Sequence, residues 1–306
     1  MIIVGSFLLF AGGPDYYSPR SFKTVWDLGH ILFFAILSYV ILLSWSQHKG
    51  MTFSRQAIAV MFIALILGTL IEIAQAGSRR SPDIWDVVRN LIGCMVTLSF
   101  FTPSKNSLPK SFLKALQAIT FLLVISALFP AVKSITDEIV ALRQFPVLSD
   151  FETPFEIDRW SGDSKFAVDP TFSYHGRSSL RVALNTSLYS GVSLRFFPGN
   201  WLKYKYLQFS IYNPEDQPIK VTCRINDTRH RLGKQTYDDR YNQMFPLTNG
   251  WNIISVPLER VAGSPKSRKM DLAKVQELGV FTTGLRRPKV LYIDYVLLTD
   301  TTHIIP

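Results

Sequence analysis

Four stretches of mostly apolar residues, 28–46, 57–76, 84–101 and 112–132, constrain this chain more than any other feature of its sequence. Each approaches the roughly 20 residues a helix needs to cross the hydrocarbon layer, where backbone polar groups must pair internally for want of water. All four are therefore read as membrane spans, the third being the most polar because it holds Asp86, Arg89 and Asn90. The opening run, residues 1–11, is shorter. No basic residue precedes it and no small-x-small cleavage site follows, so a signal peptide fits it poorly. It is read as a first span, short or begun upstream, ended by Gly12, Gly13 and Pro14. The expected fold of residues 1–132 is an all-α polytopic membrane helical bundle of about four or five transmembrane helices.

Composition changes where these runs stop. Residues 1–149 hold seven acidic and twelve basic side chains and the remainder sixteen and twenty-one, so each half carries about five of the ten excess positive charges. Charge spread this evenly, without a stripe of Lys and Arg interleaved with aromatics, argues against nucleic acid as a partner. It suits a protein that uses cations to orient itself in the lipid bilayer and to meet anionic headgroups. Short loops place Lys49, Arg55, Lys105, Lys110 and Lys114 on one side, and Arg20, Lys23, Arg79 and Arg80 on the other, mixed with Asp15, Asp27 and Asp83. The positive-inside rule puts the first set in the cytoplasm. The chain is then integral to the cell membrane with its carboxyl-terminal domain extracytoplasmic. Cys94 and Cys223 lie in different halves with no metal-ligand spacing, which excludes a disulfide framework and reads as two small buried apolar residues.

Ionisable groups near a membrane are costly and usually face an interior or a wet cavity. Three sets stand out: Asp27 and His30; Glu72, Gln75 and Arg79; and Asp83, Asp86, Asn90 and Gly93. Their spacings put each set on one helical stripe, and alternating helix directions would bring all three to one membrane surface. The order Asp-x-x-His, Glu-x-x-Gln, Asp-x-x-Asp-x-x-x-Asn-x-x-Gly resembles the VanZ-like membrane protein family over about residues 1–105. Leu28 departs from the pattern, since that family often places a Lys there, and the first span is short. The resemblance implies a small multi-span protein whose family is named for a member associated with resistance to the glycopeptide antibiotic teicoplanin.

Three readings of this polar cluster follow from its chemistry. In the first, Glu72, Asp83 and Asp86 pair with Arg79, Arg80 and His30, Asn90 and Gln75 join helices by hydrogen bonds, Gly93 allows close approach, and Asp83 caps a helix N-terminus. In the second, the cluster is a pocket for the headgroup of a lipid or lipid-linked glycan precursor. In the third, His30 serves as a general base or joins the acids around a divalent metal. No nucleophile motif accompanies it, and neither a metal nor a cofactor is assigned.

Residues 133–147 read as a juxtamembrane linker with a short amphipathic helix before Pro146. Beyond it, short runs rich in Val, Ile, Phe, Tyr and Leu recur between Gly, Pro, Asn and Asp: 164–168, 179–184, 192–197, 206–212, 219–225, 252–257, 278–282 and 290–298. About eight such strands indicate an all-β antiparallel sandwich over residues 148–306, with one short helix at 270–277. The phrases DFETPFEIDRW, GRSSLRVAL, YLQFSIYNPEDQPIKVTCRIND, FPLTNGWNIISVPL, MDLAKVQELGVF and LYIDYVLL look like the galactose-binding-like jelly roll used by many carbohydrate-binding modules, over about residues 148–300. Sugar recognition needs exposed aromatics that stack on pyranose faces beside polar groups that bond hydroxyls. The candidates are Arg229, His230, Tyr237, Asp238, Arg240 and Tyr241 in the polar connection after Ile225, with Trp201 and Tyr204 behind them; an ordinary solvated connection is the bland alternative. Trp251 is expected to anchor the core, and Asp294 to satisfy turn N–H groups.

The sequence therefore points to a cell-envelope membrane protein that recognises glycans or lipid-linked glycan precursors, binding without turnover. The alternatives are an intramembrane enzyme acting on a lipid-linked substrate, with the sandwich positioning it, and an interaction protein whose sandwich docks a partner. Nothing in the sequence sets an oligomeric state.

Overall fold

The computed structural model describes residues 13–15, 18–46, 51–76 and 83–301. It falls into two compact units, Met1–Ile135 and Thr136–Pro306. The opening apolar run, Arg79 and Arg80 lie outside the described residues.

The first unit is helical. Helices α1 (Arg20–Ser46), α2 (Phe53–Ala76), α3 (Ile84–Val96, continued by a π turn over Thr97–Phe101) and the body of α4 (Lys110–Gln144) cover the four apolar stretches, and all four are long and apolar enough to cross a membrane. Phe34, Leu42, Val60, Ala64, Cys94 and Leu98 form the buried core among them. Outward-facing Leu32, Ile58, Phe62, Leu122 and Phe129 are exposed, a density of apolar surface that water tolerates poorly. Helices α1 and α3 approach closely because position 93 has no side chain: a Cβ on Gly93 would sit 2.4 Å from the Ile31 carbonyl oxygen. At the same crossing the Thr97 hydroxyl donates to the Ala35 carbonyl and Ser38 to the Cys94 sulfur, the small-residue and hydroxyl ties usual between helices in lipid.

The second unit contains eleven described strands in two antiparallel sheets. The first sheet has the order β3 (Lys165–Asp169), β4 (Ser179–Leu184), β11 (Lys289–Thr299), β6 (Tyr206–Asn213), β9 (Gly250–Pro257), with β1 (Val147–Ser149) also paired to β11. The second runs β2 (Trp160–Ser161), β5 (Tyr189–Leu194), β10 (Val275–Thr283), β7 (Ile219–Asp227), β8 (Tyr241–Leu247). The period of two sends Leu180 and Val182, Leu207, Phe209 and Ile211 from the first sheet against Val192 and Leu194, Val221, Cys223 and Ile225, Leu278 and Val280 from the second. Each such side chain fully buried contributes about 1.5–3 kcal/mol.

The stretch 133–147, expected to be a juxtamembrane linker with a short helix, holds the end of α4, which runs to Gln144, and the start of β1 at Val147. Two expectations are corrected. Strands β1, β2 and β8 join the eight expected. Residues 270–277 do not form a helix: the Asp271 amide donates to the Asp227 carboxylate and Trp201 donates to the Leu272 carbonyl, so the backbone is satisfied from outside and β10 begins at Val275. The short helices are α5 (Thr228–Leu232) and α6 (Leu258–Ala262).

Within the second unit the end of α4 is tied to the sandwich by a buried ion pair. Arg159, wholly buried, donates from Nε and Nη2 to the equally buried Asp137 carboxylate at 2.9–3.1 Å and from Nη1 to the Leu148 carbonyl. Removing one partner strands the other charge in the interior, whereas removing both does not. Asp137→Ala is expected to destabilise this unit by about 3–5 kcal/mol, and Asp137→Leu with Arg159→Met by less than half of that. Chemical unfolding of the full chain in detergent, followed by the near-ultraviolet signal of buried Trp160 and Trp201, reads both.

Candidate functional site

The outer faces of the two sheets are built differently. On the first sheet the segment between β3 and β4 folds back over the strands. Phe172 stacks on Tyr212 at 4.2 Å and meets Tyr292 edge-on at 4.9 Å, while Tyr174 and Tyr212 both pack against Trp251. Two carboxylates pin this strap through its backbone. Asp294 Oδ2 accepts from the amides of Tyr174 (2.6 Å) and His175 (3.0 Å), and Glu152 Oε1 from those of Arg177 (2.6 Å) and Ser178 (3.0 Å). The second Asp294 oxygen takes the amide of Tyr295, whose φ of 48° turns the strand and lays its ring on His175 at 4.1 Å. Asp294 thus satisfies turn N–H groups as its position suggests. Trp251, expected in the core, faces outward and is covered by the strap.

The second sheet leaves its outer face exposed. Register puts Tyr189 of β5 opposite Thr283, Gly191 opposite Phe281, and Gly279 opposite both Ser193 and Arg224. A Cβ at Gly191 would lie 2.5 Å from Phe281, and one at Gly279 would lie 3.3 Å from Arg224 Nε and Ser193 Oγ. These two glycines therefore leave the face low beside Phe281 and Arg224. Tyr189 meets Phe281 edge-on at 5.9 Å, Arg224 Cζ lies 5.5 Å from the Phe281 centroid, and Arg224 Nη2 reaches Glu277 Oε1 at 2.6 Å. Beyond β7, Met244 shares this face, and Arg240 Cζ sits 5.6 Å from the Tyr237 ring. Tyr189, Tyr237 and Met244 are 59%, 67% and 55% exposed: two aromatic platforms with ionised groups between them.

Of the six sugar-binding candidates, the structure brings Tyr237 and Arg240 to this face. Tyr241 does not reach it. Strand β8 begins at that residue and pairs it with Ile225, so its ring is buried and its hydroxyl donates to Gln243 Oε1; burial pushes its ionisation up. His230 is buried and structural, its amide donating to Asp227 Oδ1 and its Nδ1 lying 3.3 Å from Asp239 Oδ2. Arg268 bridges Asp227 and Asp239. Burial works to raise Asp227, but hydrogen bonds from Arg268, Asp271 and His230 outweigh it, and Arg268 lowers Asp239 likewise. Asp238 is exposed and paired with Lys266 at 2.8 Å, and Arg229 lies exposed on α5. Trp201 is fully buried in the core and Tyr204 packs against it. Sequence reasoning missed Tyr189, Arg224, Glu277 and Phe281, which alternation along the strands marks as outward.

In the helical unit a polar cluster joins α1 to α3. Asp83 caps α3, accepting from the Trp85 amide at 2.9 Å. His30, fully buried, places Nδ1 3.0 Å from Asn90 Oδ1 and Nε2 3.5 Å from Asp86 Oδ2. Arg89, absent from the expected set, is the hub: it binds Asp86 closely and lies 3.6 Å from Asp27 and 3.5 Å from Asp83. Asp27, His30, Asp83, Asp86 and Asn90 are thus brought together around Arg89. Glu72 and Gln75 fall on α2, with side chains outside the described set. Among the described residues no group of three or more His, Cys, Asp or Glu could hold a metal ion.

Residues 149–300 match the family model Carbohydrate binding domain 30. The family 11 carbohydrate-binding module from Clostridium thermocellum, solved with a β-1,3-1,4-mixed-linked tetrasaccharide, is 15% identical, with a TM-score of 0.39 over 52% of this chain and 96% of that one. The family 30 module of a cellulosomal cellulase of Clostridium thermocellum is 17% identical (TM-score 0.35, 47% of this chain, 93% of that one). An exo-β-agarase is 13% identical, with a TM-score of 0.41 over 51% of this chain and 25% of that one. No curated protein matches. Residues 149–300 therefore form a carbohydrate-binding jelly-roll domain behind a helical region with four apolar candidate spans.

The strap supplies a pH test. Burial pushes the Asp294 carboxyl from 3.8 up to about 6 against the pull of its three N–H donors. A raised carboxyl gives stability that is present below its unfolded pKa and lost as pH rises through the folded one. Between pH 4 and 7 the stability of wild type relative to Asp294→Asn is expected to fall by on the order of 2–3 kcal/mol, as read by denaturant midpoints across that range.

Proposed function

We propose that this protein is a membrane-held glycan receptor, and that the exposed face of the β2-β5-β10-β7-β8 sheet is where the glycan lies. The observation that carries this is one face presenting two exposed tyrosines, Tyr189 and Tyr237, beside Arg224, Glu277 and Arg240. Pyranose faces stack on aromatic rings, and charged groups between the rings bond ring hydroxyls. The match of residues 149–300 to a carbohydrate-binding family supports the same ligand class. The chemistry is recognition without turnover.

The helical half holds this domain at the membrane. Four apolar helices of spanning length support that reading, and the thin Lys and Arg asymmetry of the short loops favours an extracytoplasmic sandwich. The Asp-x-x-His and Asp-x-x-Asp-x-x-x-Asn motifs keep the VanZ-like resemblance as the reading of this half. With it come cell-wall glycans or their lipid-linked precursors as ligands, and a link to glycopeptide resistance.

Binding of the full chain in detergent micelles to cell-wall glycans, β-glucans and capsular polysaccharides tests the proposal. Saturable binding is expected, weakened about tenfold by Tyr189→Ala or Tyr237→Ala, each removing a stacking contact of about 1–1.5 kcal/mol. Ile253→Ala, on the outer side of the other sheet, should leave it unchanged. Binding that ignores both tyrosines would refute the assignment of this face.

A further inference from the structure

The charges on this face narrow the ligand class further. Arg224 lies 2.6 Å from Glu277, Arg240 feels the charges of both, and Arg195 also acts on Glu277, the carboxylate these three guanidiniums share. Lys220 adds a fourth cation by register, opposite Pro246 at the far end of β7. Burial and the neighbouring Arg224 both work against the charge on Arg240. Burial also opposes the charge on Glu277, yet the guanidiniums hold its carboxyl below the usual range, so this acid is already committed to them. Among the described residues nothing accepts from Arg224 Nε or Arg240 Nε, both of which are buried. A buried donor left unmade is costly, and two like charges close together with one shared counter-ion are costlier. A second anion arriving from outside would relieve the excess of positive charge.

We infer that the sugar polymer bound by this face is anionic, bearing a carboxylate on the pyranose that Arg224 and Arg240 clamp between the Tyr189 and Tyr237 platforms. This rests on the glycan-receptor reading and specifies its ligand. A planar carboxylate matches the guanidinium fork in two parallel bonds, which a neutral hydroxyl does not. Uronate-containing polysaccharides have this chemistry; sulfated ones share the charge but lack the planar geometry.

The test uses the wild-type chain in detergent and matched oligosaccharides of β-1,4-glucan, β-1,3-glucan and β-1,4-galactan. Each is offered as the neutral hexamer, as its C6-oxidised uronate and as its C6 sulfate, with affinities from titration calorimetry. The uronate is expected to bind at least tenfold more tightly than the neutral form of the same backbone, and more tightly than the sulfate. That preference should shrink in ~0.5 M salt, where charge is screened within a few ångströms, and in Arg240→Gln. Equal affinity for neutral and uronate forms would overturn the inference while leaving the glycan-receptor reading in place. A preference for sulfate over uronate would overturn the carboxylate assignment. Failure to bind any form of any backbone would overturn the inference, while the glycan-receptor reading falls only if the wider panel of cell-wall glycans and capsular polysaccharides is silent too.

Discussion

The hold of Asp294 on the backbone of the β3–β4 segment decides which side of the sandwich can meet a ligand. Both sheets send every second side chain outward, and both carry aromatics there. On the first sheet the carboxylate takes the amides of Tyr174 and His175, the segment folds down, and Phe172, Tyr174, Tyr212, Tyr292 and Trp251 pack on one another. Their π surfaces are spent inside the protein. On the second sheet two glycines keep the face low beside Phe281 and Arg224, and Tyr189 and Tyr237 remain exposed. The asymmetry between a plugged face and an open one carries the functional reading.

The same accounting applies to charge. Arg159 with Asp137, and Arg268 with Asp227 and Asp239, are closed sets in which each guanidinium meets carboxylates within the protein. Arg89 closes another among Asp27, Asp83 and Asp86 in the helical unit. Buried charge is tolerable when paired and bonded in this way. The open face is different: Glu277 is the carboxylate that Arg224 and Arg240 share, and among the described residues nothing accepts from their buried Nε donors.

How much of this was legible depended on whether a pattern was local. The four helices follow from run length, which is why their expected limits fall within those found. The sandwich follows from period-two alternation, and its core from the apolar members of each run. The misses were tertiary. Residues 270–277 have helical spacing, but Asp227 and Trp201 supply their hydrogen-bond partners. Tyr241 resembles its neighbour Tyr237 in composition, and only the start of β8 separates an inward ring from an outward one. Tyr189 fell three residues before the expected strand 192–197 and Phe281 inside 278–282 with no face assigned to it, while the meaning of Gly191 and Gly279 requires knowing which strands are neighbours. In the helical unit the stripes of Asp27 and His30 and of Asp83, Asp86 and Asn90 were visible from spacing; Arg89 as their common partner was not.

The most direct test is hydroxyl-radical footprinting of the full chain with and without a saturating envelope glycan, because the side chains at issue are tyrosines, a methionine and a tryptophan. Protection confined to Tyr189, Tyr237 and Met244, with Tyr174 and Trp251 unchanged, is the result this account requires. Protection at Trp251 and Tyr174 instead, with Tyr189 and Tyr237 unaffected, would contradict it.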